Sequence, residues 1–311
     1  MQRTIITHVG ASLLAPRCAA FQGYKDASEL LNALRDEDEA ALAHLDAAAD
    51  HLIANLNTIW VRGADTRWRD SPAEIASLSR LALSPTDRVV LLHSDTLTGR
   101  FCADLLQRAL SAPFTSVNGY PHTLPGRVVA HNLSGLRVTD RPGTAPAAGE
   151  TAAERFVRDG LRDYVEHVWN AYDELAASLS ASGDQGQLIF NVTAGYKSMV
   201  PIARDLALLL TEHIHGLERP ITTELCVLYE ESSELIRYAS LPVQFDWSKV
   251  YMAHLARADA DAPGARLRYD HIAADNLAFF ERAPDDEAYA RLSPLGRVVW
   301  ELGKKLAYAE P

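Results

Sequence analysis

The sequence predicts an α/β fold: a Rossmann-like, mostly parallel sheet flanked by helices, with a small helical C-terminal extension. Three observations carry this. The near-continuous apolar runs Arg88-Val89-Val90-Leu91-Leu92-His93 and Gln187-Leu188-Ile189-Phe190-Asn191-Val192 suit strands buried on both faces of a parallel sheet. Helical and strand signals alternate from residue 1 to about 240. Two strands run into turns of small residues, where α/β folds present backbone amides to a ligand.

The first strand signal, Arg3 to Val9, is rich in β-branched residues and ends at Gly10-Ala11-Ser12, with Leu13-Leu14 following. Asp26 to Trp60 reads as helix, because Leu30, Leu31, Leu34, Ala41, Leu45, Ala48, Leu52 and Leu56 recur at three- and four-residue spacing. Ser71-Pro72-Ala73-Glu74 opens another helix, with an N-cap, a proline at the first helical position and an early acid. After the second strand, Ser94-Asp95-Thr96 precedes a helical stretch from Thr98 to Leu110. Phe114 to Val117 and Arg127 to Val138 carry weaker strand signals, and Thr139 to Gly149 reads as a loop. Glu150 to Ser182 is predicted as one long helix with Phe156, Leu161, Tyr164, Val168, Tyr172 and Leu175 on its apolar face. The strand at 187–192 breaks at Thr193-Ala194-Gly195-Tyr196-Lys197 and becomes a helix from Met199 to His215. Thr222 to Tyr229 and Leu235 to Ala239 make a strand pair around the turn Glu230-Glu231-Ser232-Ser233. The expected organisation is a domain over 1–245 with a helical insertion at about 25–83, then a mostly helical region over 246–311 that ends in a capped helix.

Composition narrows the function. The chain has 311 residues, and 48% hydrophobic with 23% charged residues is ordinary globular usage. Forty-one acidic against 30 basic residues argues against a general nucleic-acid coat, while leaving room for a local anion pocket. No apolar run reaches the roughly 18 residues of a membrane helix; the one at Leu206 to Leu210 is soon broken by Glu212, His213 and His215. Cys18, Cys102 and Cys226 are far apart and odd in number, so neither a disulfide framework nor a CxxC metal knuckle is expected, and a cytoplasmic setting follows.

The two strand-to-helix turns hold the candidate chemistry. The first is Val9-Gly10-Ala11-Ser12-Leu13-Leu14. The second, Asn191 to Ser198, combines the amide of Gly195, the hydroxyl of Thr193 and the cation Lys197 ahead of a helix N-terminus. Such an end carries roughly half a positive charge. The set reads either as a phosphate site or as a turn glycine beside a solvated lysine. Neither turn is a Walker A loop or a GxGxxG loop. Ser94-Asp95-Thr96 either borders the pocket or caps the following helix. Trp60, Arg67 and Trp68 in the insertion either stack on a ligand or pack on the surface. His8, on the first strand, reads as a packed core histidine.

His8-Val9-Gly10-Ala11-Ser12-Leu13-Leu14 resembles the opening "TVGTSLL" of CRISPR-associated Rossmann-fold (CARF) proteins, and Asn191-Val192-Thr193-Ala194-Gly195-Tyr196-Lys197 resembles their second hallmark, "NxTGGxK". A long helix before the second motif and a strand pair ending in Leu-Pro after it agree with that order. Ala11 stands in place of the usual threonine and Ala194 in place of the first glycine. The resemblance implies a homodimer that binds cyclic tetra- or hexa-adenylate across its two-fold axis, with no cofactor and no metal. It implies a ligand site drawn from Gly10, Ala11, Ser12, Leu13, Asn191, Thr193, Ala194, Gly195, Tyr196 and Lys197, to which Ser94, Asp95 and Thr96 are added from their place at the end of the second strand.

Among relatives some are ring nucleases, which cut the messenger by attack of a ribose 2′-hydroxyl on the adjacent phosphorus. The resemblance puts their serine and lysine at Ser12 and Lys197. Others only sense the ligand, and many switch on an RNase with an Arg-x(4–6)-His motif. Arg162 to His167 and Arg266 to His271 have that spacing. The ring nuclease is the leading expectation, because the C-terminal region looks too short for the RNase bundle and no metal-nuclease core is apparent.

Overall fold

The structure, a computed structural model, describes residues 1–14, 27–40, 49–56, 72–112, 114–115, 121–122, 124, 126–136, 151–217, 219–228, 234–239, 252–259, 266–272, 274–283 and 285–308. Six strands form the main sheet: β1 (Gln2–His8), β2 (Arg88–Ser94), β5 (Val128–Leu133), β6 (Gly186–Asn191), β7 (Ile221–Leu228) and β8 (Leu235–Ala239). Their order is β5-β2-β1-β6-β7-β8. All neighbours are parallel except β7 and β8. Ile5 lies opposite Val89 on one side and Ile189 on the other, so β1 is central and the chain winds outward from it in both directions. The order therefore reverses beside β1, and the crevice at the carboxyl ends of β1 and β6 is the place where open α/β sheets bind ligands.

Alternation along the strands feeds two cores. Ile6, Val90, Leu92, Leu188 and Phe190 pack with Tyr164, Val168 and Leu175 of α5 (Leu161–Ser182) and Leu206 and Leu210 of α6 (Met199–Gly216). Ile5, Val89, Leu91 and Ile189 pack on the other face with α1 (Ala27–Arg35), α2 (Ala73–Arg80) and α3 (Leu97–Ser111). Helices on both faces account for the continuous apolar runs in β2 and β6.

Four expectations change in detail. The helix expected over 26–60 is interrupted: α1 ends at Arg35, Glu37 adopts a positive φ of 51°, and among the described residues helix is found again at 39–40 and 49–56. Pro72, not a serine, holds the N-cap position of α2 and no α2 side chain caps it; the Ser12 hydroxyl accepts the Ala73 N–H at 3.1 Å instead. Phe114–Thr115 (β3) is a two-residue strand that pairs with Pro121–His122 (β4) outside the main sheet. The long helix runs from α4 (Ala152–Arg155) into α5 through a π turn at Phe156–Gly160. There the loop after β5 lies against it, with Asp163 accepting the Ser134 N–H at 3.1 Å.

The C-terminal region holds α7 (Met252–Ala258), an antiparallel pair β9 (Phe280–Arg282) and β10 (Ala290–Leu292), and α8 (Pro294–Tyr308), so it is less purely helical than expected. Val298, Val299 and Leu302 of α8 join the same core as Tyr164 and Val168. Buried Arg297 pairs with Asp259 at 3.0 Å and Glu301 at 3.3 Å, and Trp300 donates to Asp259 at 2.8 Å. Among the described residues no helix is long and apolar enough to cross a membrane. Cys102 and Cys226 are buried and not joined in a disulfide. Cys18, Trp60, Arg67 and Trp68 lie outside the described residues.

Candidate functional site

The two turns singled out in the sequence touch. A Cβ on Gly10 would stand 3.0 Å from the Cα and N of Gly195, so both positions need a residue without a side chain for their backbones to come together. Gly195 also has φ +83°, and a Cβ there would fall 2.6 Å from the Cβ of His8 beneath it. From this junction Ser12 opens a single 3-10 turn (Ser12–Leu14), and Tyr196-Lys197-Ser198 leads into α6.

Helix α2 holds both turns from the side. Glu74, with no exposed surface, accepts the Gly10 N–H on Oε1 at 2.8 Å and the Ser12 hydroxyl on Oε2. One turn further on, Ser77 Oγ accepts from the side-chain amide of Asn191 at 2.8 Å. That amide also reaches Thr7 Oγ1, at 3.4 Å. Burial raises the pKa of Glu74 above the ordinary carboxylate value, against the opposing pull of its bonds from Ser12 and Gly10.

Other predicted residues divide by position. Leu13, Asn191 and Ala194 are buried, so their side chains shape the turns from beneath. Thr193 Oγ1 accepts the Leu228 N–H at 2.8 Å, which ties the second turn to β7. Tyr196 is half-buried, and burial pushes its phenol up to about 12. Lys197 is exposed, and its ammonium makes no hydrogen bond or ion pair among the described residues. Ala11 is half-buried at the bend.

Of the two roles weighed for Ser94-Asp95-Thr96, the structure shows the helix cap. Thr96 caps α3 by accepting the Gly99 N–H at 3.1 Å, and Asp95 accepts the Gly135 N–H at 2.8 Å. All three also line a cavity of about 580 Å³ with His93, Arg100 and His131. Its walls do not include Gly10, Ser12, Gly195 or Lys197. His8 is a packed core residue: its Nε2 lies 3.2 Å from the buried Tyr164 hydroxyl, and burial pulls its pKa down to about 4.

The two Arg-x4-His candidates are engaged elsewhere. Arg162 pairs with Asp159 at 3.1 Å, and His167 stacks on His131 with ring centroids 4.1 Å apart. Arg266 pairs with Asp285 at 2.9 Å and lies over the Tyr289 ring. Among the described residues no group of three His, Cys, Asp or Glu side chains is placed to hold a metal ion.

Sequence reasoning missed Glu74 and Ser77. The only signal was an acid in the first turn of a helix, which reads as a cap. The contact to Ser12 spans 62 residues and exists only once the sheet has formed.

A mostly parallel sheet with helices on both faces, and two glycine turns meeting at its switch point, defines a Rossmann-like α/β protein. Residues 69–216 match the model of a family described as CRISPR-associated protein (Cas_APE2256), which supports a CRISPR-associated protein. The matched segment runs from just before α2 to the end of α6, and so includes the second turn but not the first. No curated protein matches the chain.

Proposed function

We propose that the chain is a ring nuclease: a homodimer that binds cyclic oligoadenylate and cleaves it without metal, ending a CRISPR signal. The observation that carries the reading is the junction of the two turns, which brings the backbones of Gly10 and Gly195 together, with Ser12 and Lys197 each two residues further along its own turn. In this reading the 2′-oxygen of one ribose bonds to its adjacent phosphorus and the bond to the 5′-oxygen breaks. The product carries a 2′,3′-cyclic phosphate. Lys197 and the α6 N-terminus offset charge building on the phosphate, at a worth of roughly 3–4 kcal/mol for one well-placed donor. Ser12 fixes the ribose in line with the leaving oxygen, and holding reacting groups this way supplies about 7–11 kcal/mol at best. A ring of identical nucleotides matches an isologous dimer, which presents each turn twice.

The test is incubation with cyclic tetra- and hexa-adenylate in EDTA, followed by product analysis. Linear products ending in a 2′,3′-cyclic phosphate are expected. Tight binding without turnover would replace the nuclease with a sensor. Ligand-dependent cleavage of a bystander RNA would point to an effector, a reading that the pairing of Arg266 with Asp285 does not favour. Light scattering should give a dimer at micromolar concentration, and a strict monomer with and without ligand would overturn the two-fold arrangement.

A further inference from the structure

We propose that Glu74 is the positioning residue that sets Ser12 as a proton acceptor for the 2′-hydroxyl and takes up the displaced proton through it. The inference rests on the ring-nuclease reading and supplies what the sequence left open, a base. Ser12 Oγ has one proton and two lone pairs. The proton is donated to Glu74 Oε2, and one lone pair takes the Ala73 N–H at 3.1 Å. A hydroxyl held this way has no proton left to give a phosphate, but it has one lone pair to receive a proton, and Ser12 is only half-buried. The Gly10 N–H on the other carboxylate oxygen fixes the orientation of the acid.

The step balances. The 2′-hydroxyl passes its proton to Ser12 Oγ as the Ser12 proton moves to Glu74 Oε2. The 2′-oxygen bonds to phosphorus, the bond to the 5′-oxygen breaks with its electron pair on that oxygen, and the 5′-oxygen takes a proton from water. Glu74 then returns its proton to solvent through Ser12. A base works best when its proton affinity approaches that of the medium, and burial moves Glu74 in that direction. The titratable groups on the elements packed around α2 do not offset this. His8 of β1 is held neutral with its pKa near 4, and burial keeps the Cys226 thiol of β7 neutral, at about 12. Glu224 of β7 faces Arg237 and Gln187, and Arg80 of α2 donates to its own helix.

The experiment is single-turnover cleavage of whichever ring, cyclic tetra- or hexa-adenylate, the wild-type chain cuts, measured from pH 4.5 to 8 in the wild type, Glu74→Gln, Ser12→Ala and the double variant. The wild-type rate should rise with pH through an acid limb lying above the ordinary carboxylate range. Glu74→Gln, which keeps the volume and can still accept from Gly10, should lose that limb and run about 100-fold slower or worse, the usual worth of a general base. Ligand affinity should change by less than about threefold, against the tenfold that 1.4 kcal/mol brings. The double variant should be no slower than Ser12→Ala, because Glu74 works only through Ser12. A pH-independent wild-type rate would overturn the inference even if the glutamine variant does not fold. Wild-type kinetics in a folded Glu74→Gln would overturn it and leave the nuclease reading standing. A wild-type chain that cuts neither ring would overturn both.

Discussion

Gly195 sits with φ +83° directly above His8, and the Cβ of His8 occupies the space that a side chain on Gly195 would need. The second turn is thus seated on the central strand, and the first turn closes against it through Gly10. Gly195→Ala meets two penalties: a left-handed backbone, costing about 1–2 kcal/mol, and overpacking against His8, costing about 1–3 kcal/mol. Gly10→Ala meets only a tight contact and should cost less. Urea unfolding of the two variants checks the order, with Gly195→Ala the less stable.

Ser77→Ala should destabilise the protein by about 1–3 kcal/mol, because the buried amide of Asn191 loses its shorter acceptor and keeps only the long contact to Thr7. Denaturant midpoints at constant slope are the measurement. The same variant should weaken cyclic-oligoadenylate binding, since Asn191 anchors the turn that carries Lys197.

Lys197→Ala should slow single-turnover cleavage by about 100-fold or more, the cost of losing one transition-state donor. Binding should fall less, because the amides and the helix end still face the ligand. Lys197→Arg should rescue only in part, since a planar fork does not take the place of a compact ammonium. Because Lys197 is exposed and makes no ion pair among the described residues, folding stability should not change. A rate drop matched by an equal stability loss would count against the assignment.

Stability should fall as the medium is acidified from pH 6.5 towards 4. His8 and His131 both have folded pKa values pulled from 6.5 down to about 4 by burial, so in that window the unfolded chain binds more protons than the native one. Stability from these groups is present above the unfolded value and lost on the way down. Glu74 acts with the opposite sign. Its raised pKa means the native state holds the extra proton, so its contribution declines as pH rises from the unfolded value through the folded one. His8→Gln should flatten the acid side of the unfolding profile only in part, leaving the share of His131.

The strands and their helices were legible because burial on both faces writes itself as an apolar run, as in Val89 to Leu92 and Leu188 to Phe190. Both turns were legible because glycine marks a backbone that must bend or be approached. The partnership of Ser12 with Glu74 was not. A glutamate two residues after a proline at a helix start looks like a cap in any sequence, and nothing local says that its oxygens face another turn 62 residues away. The break after α1 was hidden for a related reason: the leucine spacing continues across Asp36 and Glu37, while the backbone turns there.

The attachment of α8 bears on how the molecule is made. Leu161 to Leu179 of α5 leave the ribosome more than a hundred residues before the helix that roofs part of their apolar side. Until Val298, Val299 and Leu302 arrive, that side is uncovered on a nascent chain whose sheet is already complete in sequence, and exposed apolar surface of this kind invites association with neighbours. Helix α8 therefore acts as a closing latch on assembly, fastened by the buried Arg297 between Asp259 and Glu301. A chain cut short before α8 is a sticky product, so well-behaved protein comes only from chains that carry this helix.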